Sequence, residues 1–387
     1  MEFELSWLLL GLPLVFILGW AASRMDLRQL RAQNRDAPKA YFKGLNFLLN
    51  EQQDKAIDAF IEAVQSDPDT SELHFALGNL FRRRGEYDRA VRVHEHLLSR
   101  GDLSALDRER AQHALALDFL KAGLLEHAEA ALERLEGSAF ESEARLARLA
   151  IFERSRDWPQ ATAVAARMQT DGQGNFSARQ AHYLCEQAQD ALRSGDTAGA
   201  TALLQQALNA EPNSARARIE MARMAQQSGD YRTALTDLRS LARDAPAALP
   251  LAAAMAAQAA QASGETAQTL SWLQAHYQEM PSLDVLDAIV ELASLANTPE
   301  TALSARAWYL RHLEREPSLV AAAKWLAGEK LEHEQFHPQI QAALDNAARP
   351  LTRYRCAACG FEARQHFWHC PGCQAWDSYP AQRVEEL

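Results

Sequence analysis

Four cysteines near the C-terminal end are the residues of this sequence best suited to chemistry. Cys356 and Cys359 form one C-x2-C pair, and Cys370 and Cys373 form a second pair after ten intervening residues. Each pair aims two sulfurs at one point, so two pairs together can enclose a metal ion in a tetrahedral cage of thiolates. The spacing therefore predicts a metal site with these four cysteines as ligands.

The residues around the cysteines fit a small metal-stabilised module. Gly360 and Gly372 are predicted to relieve crowding where the backbone turns so that its amides point at the sulfurs. Phe361, Trp368 and Trp376 are predicted to pack the module, since about thirty residues cannot build much core alone. The two pairs resemble a rubredoxin-like metal knuckle or zinc ribbon, although ten intervening residues are too few for the whole sheet of rubredoxin.

Disulfide bonds are the alternative use of these cysteines. They seldom persist in a reducing cytoplasm, which is the compartment that the N-terminal segment indicates for this tail. Zinc and iron both accept four thiolates, so the cofactor is predicted as one metal ion, with iron and zinc both left open. The fifth cysteine, Cys185, lies alone in a helical stretch and is predicted to be a packing residue, as is His94.

A repeat of 34 residues forms the elements that must position this module. The same pattern of small and large apolar residues relates Gly44 to Gly78 and Gly195 to Gly229. Small residues let two helices approach closely, glycines suit the turn between them, and a proline such as Pro212 cannot continue a helix. The pattern resembles the tetratricopeptide repeat and predicts an all-α superhelix of about eight or nine helical hairpins.

The repeats become degraded after residue 246, and 320–348 is predicted as a closing pair of helices. The predicted organisation begins with a transmembrane anchor at 1–23 and a basic juxtamembrane helix or linker at 24–36. A repeat array follows at 37–348, with a joint near 170–176, and a four-cysteine module occupies 349–387.

The N-terminal segment predicts a membrane anchor. Residues 5–22 carry no charge and would span roughly 27 Å as a helix, close to the thickness of a bilayer core. A cleaved signal peptide needs positive charge before its apolar run, whereas Glu2 and Glu4 precede this one and basic residues follow from Arg24 onward. The asymmetry predicts a single-pass membrane protein with the bulk of the chain in the cytoplasm.

The resemblance to the tetratricopeptide repeat implies that the first helix of each repeat lines a concave surface, and such surfaces bind other proteins. Many side chains at these positions are basic, which suits an acidic or carboxylate-ended segment of a partner, while ordinary solvated helix residues are the alternative. The candidate partner-binding residues are Tyr41, Phe75, Asn79, Arg82, Arg83, Arg110, Lys121, Arg193, Arg216 and Arg223.

Composition and motifs limit the function further. A net charge of -11 argues against general affinity for nucleic acid. The sequence contains no phosphate-binding glycine loop, no HExxH and no G-x-S-x-G, so we expect no enzymatic activity. Whether the array forms a homodimer is left open by the sequence.

The order of anchor, repeat array and cysteine knuckle resembles the lipopolysaccharide assembly protein B family over essentially the whole chain. That resemblance implies an inner-membrane adaptor with a short periplasmic N-terminus and a cytoplasmic bulk. The adaptor would promote degradation of the lipid A pathway deacetylase by the membrane-anchored protease FtsH. The resemblance also implies an opposing inner-membrane partner that senses lipopolysaccharide, and links to the proteins that transport and assemble lipopolysaccharide. Two alternatives remain: an iron-binding redox or metal-sensing scaffold, and a generic membrane-tethered chaperone.

Overall fold

The structure is a computed structural model that describes residues 42–47, 49–50, 52–66, 70–295, 299–329 and 334–387. No helix within those ranges is both long and apolar enough to cross a membrane. The predicted anchor at 1–23, the basic segment at 24–36 and the candidate residue Tyr41 lie outside the described residues.

The chain divides into two compact units, Met1–Ser155 and Arg156–Leu387. In the first unit, each helix from the second onward packs against the next helix in the sequence. Their bounds are α1 over 42–47, α2 Gln53–Ser66, α3 Ser71–Arg84, α4 Tyr87–Ser99, α5 Ala105–Ala122, α6 Leu125–Glu133 and α7 Glu141–Ser155.

The second unit continues with helical hairpins and ends in the four-cysteine module. Its helices are α8 Trp158–Thr170, α9 Ser177–Arg193, α10 Thr197–Ala210, α11 Ala215–Gln227, α12 Tyr231–Asp244, α13 Ala253–Ser263, α14 Thr266–Glu279, α15 Leu283–Ser294, α16 Pro299–Arg315, α17 Leu319–Leu326 and α18 His337–Ala348. Strands β1 Tyr354–Arg355 and β2 Glu362–Ala363 pair antiparallel, and short 3-10 helices cover Pro246–Ala252, Glu334–Phe336 and Val384–Glu386.

The hairpins form as the repeat pattern predicts. Gly195 and Gly229 follow the first helices α9 and α11 with φ of 84° and 82°, a left-handed conformation that glycine adopts without steric cost. The predicted closing pair at 320–348 is present as α17 and α18. The described 171–176 segment is non-helical and connects α8 to α9, within the second unit, and its role as a joint stays a prediction.

A buried polar network ties three helices of the first unit together. His94 on α4 is fully buried, and its Nδ1 lies 2.5 Å from Oδ2 of Asp118 on α5. Arg82 on α3 donates to the other oxygen of Asp118 at 2.9 Å. The ring of His94 also faces Gly78, where a Cβ atom would lie 2.5 Å from Nε2. The small residue at position 78 therefore makes room for the histidine, and the prediction that His94 is a core residue is confirmed.

Candidate metal centre

The four predicted cysteine ligands converge on one point. All four Sγ atoms lie within 4.8 Å of one another, with 3.8 Å between Cys356 and Cys373 and 3.7 Å between Cys359 and Cys370. A tetrahedral ion with metal–sulfur bonds of about 2.3 Å would place its sulfurs about 3.8 Å apart. The arrangement therefore fits one metal ion held by four thiolates, and this chemistry suits zinc or iron.

The two cysteine pairs have the same backbone hydrogen bonds. The amide of Gly360 donates to the carbonyl oxygen of Cys356 at 2.8 Å. The amide of Gln374 donates to the carbonyl oxygen of Cys370 at 2.9 Å. Both Gly360 and Gln374 are left-handed, with φ of 77° and 60°. In the second pair the left-handed residue of the turn is therefore Gln374 and not Gly372.

Backbone amides prepare two of the four sulfurs, those of Cys356 and Cys370, for a cation. At Cys359 and Cys373 the pKa is raised, because burial and the neighbouring thiols outweigh the backbone donors. Burial alone would raise the pKa of Cys356. A hydrogen bond with Ser378 and bonds from the amides of Cys359 and Ala358 outweigh burial and lower the pKa to about 6. The amides of Cys373 and Gly372 likewise outweigh burial at Cys370, whose pKa is lowered. Hydrogen-bond donors of this kind stabilise thiolates, which are the form of cysteine that ligates metals.

The site is sealed on one side and open on the other. Cys356 and Cys370 are buried in a small core with Tyr354 and Tyr379, against which Leu251 of the repeat array also packs. The second cysteine of each pair is exposed. The metal-binding module is thus continuous with the array on its buried face and open to solvent at two sulfurs.

Aromatic side chains dock the module on the array. The indole of Trp376 stacks on His182 of α9 with ring centroids 4.9 Å apart, and meets Trp158 and Tyr183 edge to face. Trp368 lies 5.9 Å from the same histidine ring. Of the three aromatic residues predicted to pack the module, Phe361 is placed differently: its ring lies beside Gly372 and is 45% exposed.

Polar contacts complete the docking at the same place. His182 Nε2 and Oδ2 of Asp377 are 2.8 Å apart, which joins α9 to the loop after the last cysteine. These two residues are 195 positions apart in the chain. No local pattern marks either of them, so they could not be identified from the sequence.

The last residues of the chain bind two helix N-termini. Glu385 accepts hydrogen bonds from the amides of Leu319 and Val320 at the start of α17, at 2.6 and 3.2 Å. Glu386 accepts from the amide of Leu283 at the start of α15, at 2.6 Å. A carboxylate at a helix N-terminus satisfies unpaired amides and complements the helix dipole. The C-terminus therefore fastens the module to the end of the array.

Two of the predicted partner-binding residues are internal, and the prediction was wrong for them. Phe75 is 2% exposed and packs with Leu97 and Ala111 in the core of the first unit. Arg216 is 3% exposed and is held by Glu186 and Glu220. Both side chains pack against neighbouring residues and do not face an open groove.

The other described candidates are accessible to different degrees. Asn79, Arg82 and Arg110 are half-buried; Arg82 is bonded to Asp118 and Asn79, and Arg110 pairs with Glu72. The exposed candidates are Arg83, Lys121, Arg193 and Arg223. The first unit contains Arg83 and Lys121, and the second contains Arg193 and Arg223. Their binding role stays a prediction.

Cys185 takes no part in the metal site. It is fully buried in the core formed by α9, α10 and α11, and burial raises the pKa of its thiol to about 12. A thiol in this state is a poor nucleophile, since the thiolate is the reactive form. The structure agrees with the prediction that Cys185 is a packing residue.

Family comparisons agree with each part of this architecture. The family described as rubredoxin metal binding domain matches residues 354–379, and tetratricopeptide repeat families match 73–109 and 191–259. Lipopolysaccharide assembly protein B of Escherichia coli strain K12 is 32% identical over 381 residues, which cover 97% of each chain. The chain belongs to the lipopolysaccharide assembly protein B family.

More distant matches extend this comparison. Lipopolysaccharide assembly protein B of Haemophilus influenzae is 25% identical over 410 residues, which cover 96% of each chain. Among solved structures, the TPR2AB domain of yeast Sti1 in its pHSP90 complex aligns with 15% identity, covers 72% of this chain and 98% of that chain, and has a TM-score of 0.36. The family models and the relative from Escherichia coli confirm the expectations of a repeat array, a metal-binding module and this family.

Proposed function

We propose that this member of the lipopolysaccharide assembly protein B family is an inner-membrane adaptor and scaffold in lipopolysaccharide assembly, and not an enzyme. The observation that carries the proposal is the identity of 32% across 97% of both chains, because a match of that extent takes in the repeat array and the module together. Helical repeat arrays present extended surfaces that bind other chains, which suits a scaffold.

The proposed action is to promote proteolysis of the lipid A pathway deacetylase by the protease FtsH. An anchor at residues 1–23 would place adaptor and protease in one membrane, which raises their effective concentration so that modest contacts suffice. A lipopolysaccharide-sensing inner-membrane protein would oppose this action, and contacts with lipopolysaccharide transport and assembly proteins would link synthesis to export. The accessible candidates Arg83, Lys121, Arg193 and Arg223 are proposed contacts of the array.

The metal ion is proposed to have a structural role. When bound, zinc or iron joins the two cysteine pairs into one rigid unit. This unit presents Trp376 and Asp377 to α9 and carries Arg383, Glu385 and Glu386 to the ends of α15 and α17. A partner that contacts this end of the array would then meet a single composite surface made of repeats and module.

Turnover of the deacetylase in cells tests the adaptor proposal. We expect depletion of this protein to lengthen the half-life of the deacetylase and to raise its level, measured by immunoblot after translation is blocked. Restoring the full chain should restore turnover, whereas a chain lacking residues 1–23 should not. An unchanged half-life after depletion would contradict the adaptor role and would favour a generic chaperone.

One observation favours a second candidate, an iron-dependent redox or metal-sensing scaffold. Cys359 and Cys373 are exposed, so a bound iron would be accessible to electron donors at the protein surface. Metal analysis of protein purified without added metal separates the two candidates. Redox-inert zinc supports a structural clip, and iron with a reversible potential supports the redox candidate.

A further inference from the structure

A polar cleft of about 530 Å³ lies between the end of the repeat array and the four-cysteine module. Helices α15 and α17 supply one wall through Leu283 and Val320. Arg349, which follows α18, and Arg364, which follows β2 in the module, also line it. The cleft is separate from the cysteine cage, because none of the four cysteines lines it.

Charges in the cleft do not balance. Two of its four cations are neutralised internally, since Lys324 pairs with Asp287 and Arg383 pairs with Asp284. The guanidinium groups of Arg349 and Arg364 have neither an ion pair nor a hydrogen bond with any other residue that the structure describes. Two positive charges are therefore left without a counter-charge in a common concave space.

This arrangement is typical of an anion site. Like charges that face one cleft repel each other. An anion bound between them offsets this repulsion and is attracted by both charges. Arginine offers a planar fork of donors that matches a carboxylate or a phosphate, and pairs with such groups by two parallel hydrogen bonds. Arg349 and Arg364 come from separate elements, so the folded end of the array brings them together.

The adjoining wall shows which anion suits this surface. Leu283 and Val320 line the cleft, and their amides already donate hydrogen bonds to the carboxylates of Glu386 and Glu385, respectively. The chain's own acidic C-terminal segment thus binds as a short peptide beside the cleft, with its carboxylates on two helix N-termini. A second acidic peptide could extend along the same wall and reach the two arginines.

We propose that this cleft binds an acidic peptide segment of a partner protein, with carboxylates of that segment paired to Arg349 and Arg364. The site is independent of the adaptor proposal, because peptide binding can be measured on the purified full chain without protease or deacetylase. Failure of one proposal therefore leaves the other intact.

Fluorescence anisotropy of fluorescein-labelled tetraglutamate, titrated with the full chain in detergent, tests the site. We expect saturable binding that weakens as salt is raised, since charge-assisted contacts are screened. Arg349→Ala combined with Arg364→Ala should weaken binding roughly tenfold or more, and the corresponding double substitution to lysine should weaken it less. Both arginines are exposed and unpartnered, so we expect the variants to fold. An unchanged metal content of the variants checks this.

A matched control removes two cations elsewhere in the same unit. Arg232 and Arg243 have side chains that are 80% and 73% exposed, and neither lines the cleft. Arg232→Ala combined with Arg243→Ala should change the affinity less than twofold, although it alters the net charge equally. The proposal is overturned if the Arg349 and Arg364 double variant binds tetraglutamate as the unmodified chain does. It is also overturned if inorganic phosphate binds and tetraglutamate does not, which would make the cleft a phosphate site.

Discussion

Arg383 binds Asp284 across 99 residues of sequence, through two hydrogen bonds of 2.8 and 2.7 Å. The same guanidinium donates to the carbonyl of Thr352 at 2.8 Å and lies 4.0 Å from the centre of the Tyr354 ring. One side chain near the C-terminus therefore joins the first turn of α15, the segment after α18 and strand β1. This contact makes the module and the last repeats one structural element.

Replacing that arginine should destabilise the docked end of the array. We expect Arg383→Ala to lower the free energy of unfolding by about 2–4 kcal/mol, because it leaves the partly buried Asp284 without its counter-charge. Urea denaturation of the metal-bound protein measures the change. Arg232→Ala, which removes an arginine side chain that is 80% exposed, should change stability by less than about 0.5 kcal/mol.

Metal content should depend on the four cysteines together. We expect Cys356→Ser combined with Cys359→Ser to abolish stoichiometric metal binding, since two thiolates cannot hold the ion as four do. Elemental analysis of protein purified without added metal measures this. The control is Cys185→Ala, which should keep the full metal content because Cys185 is buried in the core of α9–α11. Full metal in the double variant would disprove the cage.

Docking of the module should depend on Trp376 and far less on Phe361. Trp376→Ala removes ring contacts with three residues of the array and should cost about 2–4 kcal/mol of stability. Phe361→Ala removes a ring that is 45% exposed and should cost about 1 kcal/mol or less. Limited proteolysis should release the module from the Trp376 variant first. Equal effects of the two substitutions would contradict the assigned docking face.

The close approach of helices α3 and α4 should make position 78 intolerant of a side chain. A Cβ atom at Gly78 would lie 2.5 Å from the buried ring of His94, so we expect Gly78→Ala to cost about 1–3 kcal/mol. At Gly101 no atom lies within 4 Å of an added Cβ, and the backbone there is not left-handed. Gly101→Ala should therefore be neutral or slightly stabilising, and chemical denaturation of the two variants provides the comparison.

His312 should make the second unit less stable at acidic pH. Burial lowers the pKa of His312 below its ordinary value of 6.5, and the ring is within hydrogen-bond distance of Tyr277, with Nδ1 2.7 Å from the hydroxyl. The unfolded chain therefore takes up the proton first as the pH falls through about 6.5, so stability that is complete above that pH is lost below it. Denaturation midpoints at about pH 7.5 and about pH 5.5 should differ less in His312→Gln than in the unmodified protein.

This comparison isolates one histidine among several. Burial also lowers the pKa of His113, His276 and His366, so the unmodified protein should keep some acid sensitivity whatever residue occupies position 312. An identical pH dependence in the two proteins would show that His312 is protonated without cost in the folded state.

Local sequence patterns determined the repeat array and the ligands of the metal site. The 34-residue spacing of Gly195 and Gly229 reflects the turn of a helical hairpin, and each C-x2-C pair places two cysteines in one short turn. Both signals are short-range, because a turn or a knuckle is formed by residues that are neighbours in the chain.

Only the tertiary structure decided which side of each helix faces outward and where the module sits. Phe75 and Arg216 occupy the repeat positions expected for a groove, yet neighbouring helices cover them, because the packing partners decide which face of a repeat helix is buried. The contacts of His182 with Asp377 and of Arg383 with Asp284 join residues far apart in the chain, and no local pattern encodes them. For the same reason, the shared cleft of Arg349 and Arg364 arises only once the module is docked.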